Sequence, residues 1–179
     1  MEPLQTALHL AEQTGDVSLQ ARCLTYLTIA YRQCAQVEET RHYAARNLEV
    51  ATLAHMPEYI AMAKANQAWL AWRAGDLGLT QELGQAALEL WHQLPAGHAS
   101  APFQWLARWP LIAVVLREEV LAGAIEHARA LLDPGQQRLP DALAASLEQA
   151  IQAWAGGAPQ SARALLHQSM ALAQQMRYL

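Results

Sequence analysis

Apolar residues recur along this chain at intervals of three and four residues, with polar residues between them, over almost its whole length. This spacing predicts amphipathic α-helices. Gly15-Asp16 and Gly75-Asp76 interrupt the pattern, and a Gly followed by an Asp suits the end of one helix and the cap of the next. The longest polar break, 94–100, predicts a loop. The nine predicted helices cover 3–14, 17–34, 37–53, 57–74, 77–93, 102–117, 120–132, 141–155 and 159–179.

The pattern returns along the chain after about forty residues. Shifted by one period, Thr80 falls on Thr40, and a shift of about two periods places Trp154 on Trp72. A fixed period within the range of roughly 20–50 residues indicates an array whose units bury their apolar faces against one another. We therefore expect one all-α domain over residues 1–179. Its predicted parts are a leading helix, 3–14, and the helix pairs 17–53, 57–93, 101–132 and 141–177.

Composition and charge narrow the possible classes of protein. Hydrophobic residues make up 53% of the chain and charged residues 16%, which excludes an intrinsically disordered protein. The net charge is −4 and the 12 basic residues are spread along the sequence, so we expect no direct binding of nucleic acid. No apolar run reaches the roughly 18 residues of a membrane span, so we expect no membrane insertion.

The two cysteines, Cys23 and Cys34, lie about three turns apart on one predicted helix. At a rise of about 1.5 Å per residue their separation is about 16 Å, whereas a disulfide needs Cα atoms within about 7 Å. The two thiols therefore cannot pair with each other, and we expect both to be small buried side chains. Unpaired thiols fit a cytoplasmic location.

Small residues recur at equivalent positions of the predicted pairs. They are Ala68, Ala71, Gly75, Thr80, Gly84 and Ala87 in the second pair; Thr28, Ala35, Thr40 and Ala44, together with the larger Tyr31 and Asn47, in the first; and Ala150, Ala153, Gly157, Ala162 and Ser169 in the fourth. This arrangement resembles the tetratricopeptide repeat (TPR), which has small residues in both helices and a Gly near the turn. The third pair departs from the motif, because Glu119 replaces the turn Gly and Pro110 interrupts the first helix.

The repeat is longer than the family's usual length of about 34 residues. The longer form resembles the C-terminal repeat regions of large bacterial signalling and transcription regulators that contain an ATPase module. The resemblance implies a right-handed superhelix of antiparallel helix pairs, an α-solenoid of about nine helices. It also implies a fragment of a larger protein that binds a protein or peptide, or associates with itself as a homodimer, and no catalysis. The alternative is a domain that senses a small-molecule effector in its concave face.

The resemblance places the first helix of each pair on the concave face. Trp69, Trp72 and Arg73 share one helical face, and Trp and Arg are enriched in binding hot spots. We therefore predict a groove that holds a peptide or helix by Trp stacking and Arg–carboxylate pairs. The alternative is that the Trp side chains fill the gap between neighbouring pairs. The predicted partner-binding residues are Arg22, Arg32, Trp69, Trp72, Arg73, Trp109, Arg117 and Trp154.

Patterns that indicate catalysis are weak in this sequence. Glu39–His42 and Glu89–His92 have the Glu-x-x-His spacing of di-iron bundles, but they stand at different heights in the repeat because their separation exceeds one period. No further Glu residues are placed to complete such a site. The chain has no phosphate-binding glycine loop and no Gly-x-Ser-x-Gly elbow. We therefore expect no enzyme, no cofactor and no metal site.

Overall fold

The computed structural model describes residues 1–95 and 98–179, apart from the side chain of Ala101. Within these ranges the fold contains only helices and no β-strand, which confirms the predicted all-α class. Residues 96 and 97 of the predicted 94–100 loop lie outside the described residues. The helices are α1 (Glu2–Thr14), α2 (Val17–Gln33), α3 (Val37–Leu53), α4 (Pro57–Arg73), α5 (Leu77–Gln93), a 3-10 helix (Ala101–Gln104), α6 (Trp105–Arg117), α7 (Leu121–Leu131), α8 (Asp141–Ala155) and α9 (Pro159–Gln175).

The chain divides into two compact units, Met1–Ala96 and Gly97–Leu179, which we name unit 1 and unit 2. Unit 1 holds α1 to α5, and unit 2 holds the 3-10 helix and α6 to α9. The single domain expected over 1–179 stays a prediction. Among the described residues, no helix combines the length and the apolar character needed to cross a lipid bilayer.

Unit 1 is built on a regular register of helices. Helices α2, α3, α4 and α5 are equal in length, and their first residues, Val17, Val37, Pro57 and Leu77, are evenly spaced along the sequence. Two such helices with their two short turns therefore make one repeat of about forty residues, as the sequence predicts. Because the turns are short, consecutive helices of the unit pack antiparallel.

The turns between the helices of unit 1 share one backbone geometry. One residue of each turn has a positive φ: 70° at Gly15, 56° at Ala35, 53° at His55 and 81° at Gly75. The amide of the following residue then reaches back to the helix, as when Asp76 N donates to the Ala71 carbonyl at 3.0 Å. The Asp76 carboxylate in turn accepts from Leu79 N at 3.0 Å and caps α5. The prediction that Gly75 ends one helix and Asp76 caps the next is thus confirmed.

The second helix of each predicted pair buries the same positions, namely the third, seventh and tenth after its first residue. Small residues dominate this set, and they let neighbouring helices approach closely. The buried residues are Thr40, Ala44 and Asn47 in α3; Thr80, Gly84 and Ala87 in α5; Ala124, Ala128 and Leu131 in α7; and Ala162, Leu166 and Ser169 in α9. The predicted equivalence of Thr40 and Thr80 is confirmed.

In unit 2 the first helix of the third pair begins later than predicted. The segment Ala101–Gln104 is a 3-10 helix, and α6 then runs from Trp105 to Arg117 with Pro110 inside it. Trp105 is buried, and its indole Nε1 donates to Gln137 Oε1 at 3.0 Å. The ring of Tyr178 packs edge-on against Trp105 at 5.1 Å between centroids, which ties α6 to the end of the chain.

Both cysteines are free thiols, so the prediction that they do not pair is confirmed. Cys23 is buried in α2, as expected. The expectation of burial is wrong for Cys34, which is exposed at the C-terminal cap of α2. The chain leaves the packed face of the helix there to enter the turn.

Candidate functional site

The eight predicted partner-binding residues differ in exposure. Arg32 and Trp69 are each 2% exposed and Trp109 is fully buried, so these three side chains present almost no area to a partner. This burial favours the gap-filling alternative for Trp69 and Trp109. Partner binding by the set as a whole stays a prediction. Trp72 and Trp154 are half-buried, and Arg22, Arg73 and Arg117 are exposed.

The structure brings together four residues of α2 and α4, which we name the arginine–tryptophan cluster: Arg32, Asn66, Trp69 and Arg73. The guanidinium carbon of Arg32 lies 5.4 Å from the centroid of the Trp69 ring, and that of Arg73 lies 5.6 Å away. Both distances are within the range of cation–π attraction. Arg32 Nη1 also donates to Asn66 Oδ1 at 3.3 Å, and Asn66 Nδ2 donates to the Met62 carbonyl at 2.9 Å.

Burial sets the electrostatics of this cluster. It lowers the pKa of Arg32 from 12.5 to about 9, because the charged form loses hydration inside the fold. The side chain is still protonated at neutral pH, so a cation lies inside unit 1. The cluster therefore joins α2 to α4 from within, and its accessible part is Arg73.

An accessible depression lies elsewhere in unit 1, along one face of α3. It consists of two cavities of about 430 Å³ each, which share Ala45 and Gln67 and therefore adjoin. We name this surface the α3 groove. Its lining residues come from α3, α4, α5 and the turn before α5: Arg41, Ala45, Leu48, Glu49, Thr52, Leu53, Gln67, Leu70, Ala71, Ala74, Asp76, Leu79 and Leu83.

Aliphatic side chains dominate the α3 groove. Leu53 is 76% exposed and Leu79 is 42% exposed, so both offer apolar surface to solvent. Ala71 of α4 is buried and Ala45 of α3 is exposed, and both line the groove. Small residues flanked by leucines make a channel that an apolar ridge can enter.

The charged residues that line the groove are Arg41, Glu49 and Asp76. Arg41 is paired with Glu38 on the same helix, at 3.6 Å between Nε and Oε2. Glu49 and Asp76 also line the groove, and neither forms an ion pair with any described residue. The half-buried Gln67 lies where the two cavities meet.

Sequence reasoning missed the α3 groove, because its walls come from three helices that are separate along the chain. One signal was present in the sequence. Leu53 and Leu79 are large apolar residues that fall outside the buried register of α3 and α5. Exposed apolar residues mark an interaction site only where they gather in one patch, and the sequence does not show that these two lie along one groove.

Unit 2 contains a second cluster of polar groups, formed by Gln104, Arg108 and His127. Arg108 Nη2 donates to Gln104 Oε1 at 2.6 Å, and Nη1 lies 3.4 Å from His127 Nδ1. Burial and the charge of Arg108 lower the pKa of His127 from 6.5 to about 4. The ring is therefore neutral at pH 7 and accepts from Arg108, which ties α7 to α6.

A further cavity of about 420 Å³ lies in unit 2, between the end of α7 and the start of α8. Asp133, Asp141 and Glu148 are among its lining residues. No three His, Cys, Asp or Glu residues in the described part of the chain are placed to hold a metal ion together. The two Glu-x-x-His pairs, Glu39–His42 and Glu89–His92, thus contribute to no such group there.

Comparisons of this chain with protein-family models, with curated proteins and with solved structures find no match. The fold itself defines the class, which is a helical protein with a repeated pair of helices in unit 1. The inference of its function therefore rests on the geometry of the sites described above.

Proposed function

We propose that this chain is a TPR-like interaction module that binds another protein and serves as a scaffold in a larger, cytoplasmic bacterial regulator. The even spacing of the helices in unit 1 supports the fold in this proposal. We infer that α2–α3 and α4–α5 are successive repeats of a right-handed α-solenoid, in which each pair covers the apolar face of the next.

The observation that carries the proposal is the α3 groove. It is lined mostly by Leu and Ala side chains, and Leu53, its most exposed large apolar residue, has 76% of its surface in contact with solvent. Apolar surface that faces solvent between polar rims is typical of protein interaction sites. Trp72 and Arg73 on the accessible side of α4 remain in the proposal as further contacts.

Photo-crosslinking from the groove tests this function. A photoreactive amino acid replaces Ala45 in the full chain, and the same substitution at Leu10, an exposed residue of α1 outside the groove, is the control. We expect a discrete protein adduct from position 45 and none from position 10. The crosslinked protein is then purified and its affinity is measured for the wild type and for Ala45→Arg.

The expected loss of affinity in Ala45→Arg is about tenfold or more, because a long charged side chain then occupies the groove. Equal affinities of the two proteins would contradict the proposal, as would the absence of a protein adduct at position 45. An adduct with the mass of a small molecule would support the effector-sensing alternative instead.

A further inference from the structure

We propose that the α3 groove receives a basic amphipathic helix of about three turns, contributed by the protein partner. This inference rests on the proposed function and adds the chemistry of the partner. Arg41 and Leu53 lie at the two ends of the α3 wall of the groove. At a rise of about 1.5 Å per residue this wall is about 18 Å long, which a partner helix of about 12 residues spans.

The shape of the groove favours a helix over an extended segment. Strand addition needs a free sheet edge, and the described residues contain no strand. The groove is instead lined by alanines and by leucines of its flanking helices, such as Leu48 of α3 and Leu83 of α5. A ridge of apolar side chains spaced i, i+3 or i+4, and i+7 packs into a channel of this kind.

The charge of the groove favours a basic partner. Arg41 is paired with Glu38 and the Asp76 carboxylate caps α5, so Glu49 is the carboxylate of the groove that has no partner among the described residues. The whole of 1–95 is acidic, with ten Asp and Glu residues against six Lys and Arg. Complementary Lys or Arg residues on the flanks of the partner helix therefore speed its association and fix its orientation.

Gln67 adds a polar feature to the middle of the groove. Its side chain is half-buried where the two cavities meet, and its side-chain amide forms no hydrogen bond with any described residue. A polar residue at the centre of the partner's apolar face satisfies this amide. It also sets the register of the helix, because only one alignment brings the two polar groups together.

Peptide binding to the full chain tests this inference. Three fluorescent peptides, each of about four helical turns, are compared by anisotropy. The first has Leu at i, i+3, i+7 and i+10, a Gln at i+4 to meet Gln67, and Lys or Arg on the flanks. The second replaces these Lys and Arg residues with Glu, and the third keeps the composition of the first but scrambles its apolar spacing. We expect the first peptide to bind about tenfold more tightly than either of the others.

Two matched substitutions separate local charge from net charge. Glu49→Lys changes the groove, and Glu89→Lys makes the same change in net charge at the equivalent position of the next repeat, exposed on α5 outside the groove. We expect Glu49→Lys to weaken binding of the basic peptide about tenfold and Glu89→Lys to weaken it less than about threefold. Circular dichroism checks that both variants remain helical.

The outcomes of the two experiments distinguish this inference from the proposed function. If the acidic or the scrambled peptide binds as well as the basic amphipathic one, or if both substitutions act equally, the basic helix is the wrong occupant. A protein crosslink at position 45 would then still support an interaction module. A crosslinked product of twice the mass of the chain would identify a second copy as the occupant and overturn the inference.

Discussion

The two arginines that contact the Trp69 ring differ in burial, and this difference should change how much each stabilises the fold. Two guanidinium groups lie at nearly the same distance from its ring, 5.4 Å for Arg32 and 5.6 Å for Arg73. Arg32 is 2% exposed, whereas Arg73 is exposed. Because a cation–π contact is stronger when the ion has lost its water, the two arginines should contribute unequally to the stability of unit 1.

Alanine substitution at each arginine measures this difference. We expect Arg32→Ala to lower the free energy of unfolding by about 2 kcal/mol or more, because it removes buried packing on Trp69 and leaves Asn66 Oδ1 without its donor. Arg73→Ala should cost less than about 1 kcal/mol. Urea titration followed by circular dichroism measures both values. Equal decreases in the free energy of unfolding would show that burial does not determine how much each arginine stabilises the protein.

His127 predicts a specific response of stability to pH. Its pKa falls from 6.5 to about 4 on folding, so the unfolded chain binds a proton there more readily than the folded chain. Its contribution to stability is therefore complete above pH 6.5 and is lost as the pH falls towards 4. Protonation would place a second cation beside Arg108, whose own pKa is lowered by burial although the charge of Asp133 opposes this.

The measurement compares the wild type with His127→Gln, whose amide oxygen accepts from Arg108 at any pH. Between pH 6.5 and 4 we expect the melting temperature of the wild type to fall more steeply than that of the variant. Parallel curves would show that His127 does not titrate with a lowered pKa in the folded protein.

At the scale of helices and turns, the sequence predicted most of unit 1. Gly75 and Asp76 mark their turn because each residue type has a local conformational reason to be there. The turn at Ala35 has the same geometry without a Gly, and there the helix bounds followed from the repeat instead of from local residues. The 3-10 start of α6 was not foreseen, because Pro102 suits the first turn of either kind of helix.

Exchanging residues between these two turns tests the left-handed geometry. Ala35 has φ 56°, which an L side chain adopts at a cost, so Ala35→Gly should stabilise the protein by about 1 kcal/mol. Gly75 has φ 81° with no atom near an added Cβ, so Gly75→Ala should destabilise it by about 1 kcal/mol through the backbone alone. Thermal unfolding measures both signs. A loss of stability in Ala35→Gly would contradict the strain at this position.

At the scale of the whole molecule, the sequence indicated the class of fold better than the site. The sequence could not distinguish the buried Trp69 from the half-buried Trp72. Their spacing shows only that the two side chains share a helical face. The α3 groove depends on how three helices pack, and none of them shows it alone. The small buried residues of α3 and α5 were predictable because close packing restricts every repeat in the same way.

The division into two units predicts that 1–95 folds without the rest of the chain. Unit 1 has its own apolar cluster, in which Leu8 of α1 packs with Leu24, Leu27 and Tyr31 of α2. The length of this unit is also within the usual range for an independent domain, about 50–250 residues. We expect the fragment 1–95 to be helical and to unfold cooperatively on heating.

The matched control is the fragment 1–76, which lacks α5 and so uncovers the apolar face of α4 that α5 covers. We expect this shorter fragment to lose cooperative unfolding, because removing α5 takes away the most extensive helix–helix contact among the described residues. The fragment 1–95 retains the whole α3 groove and should bind the basic amphipathic peptide as tightly as the full chain. A fragment 1–95 that is helical but melts without a transition would show that the two units fold only together, and the interaction module would then be the entire chain.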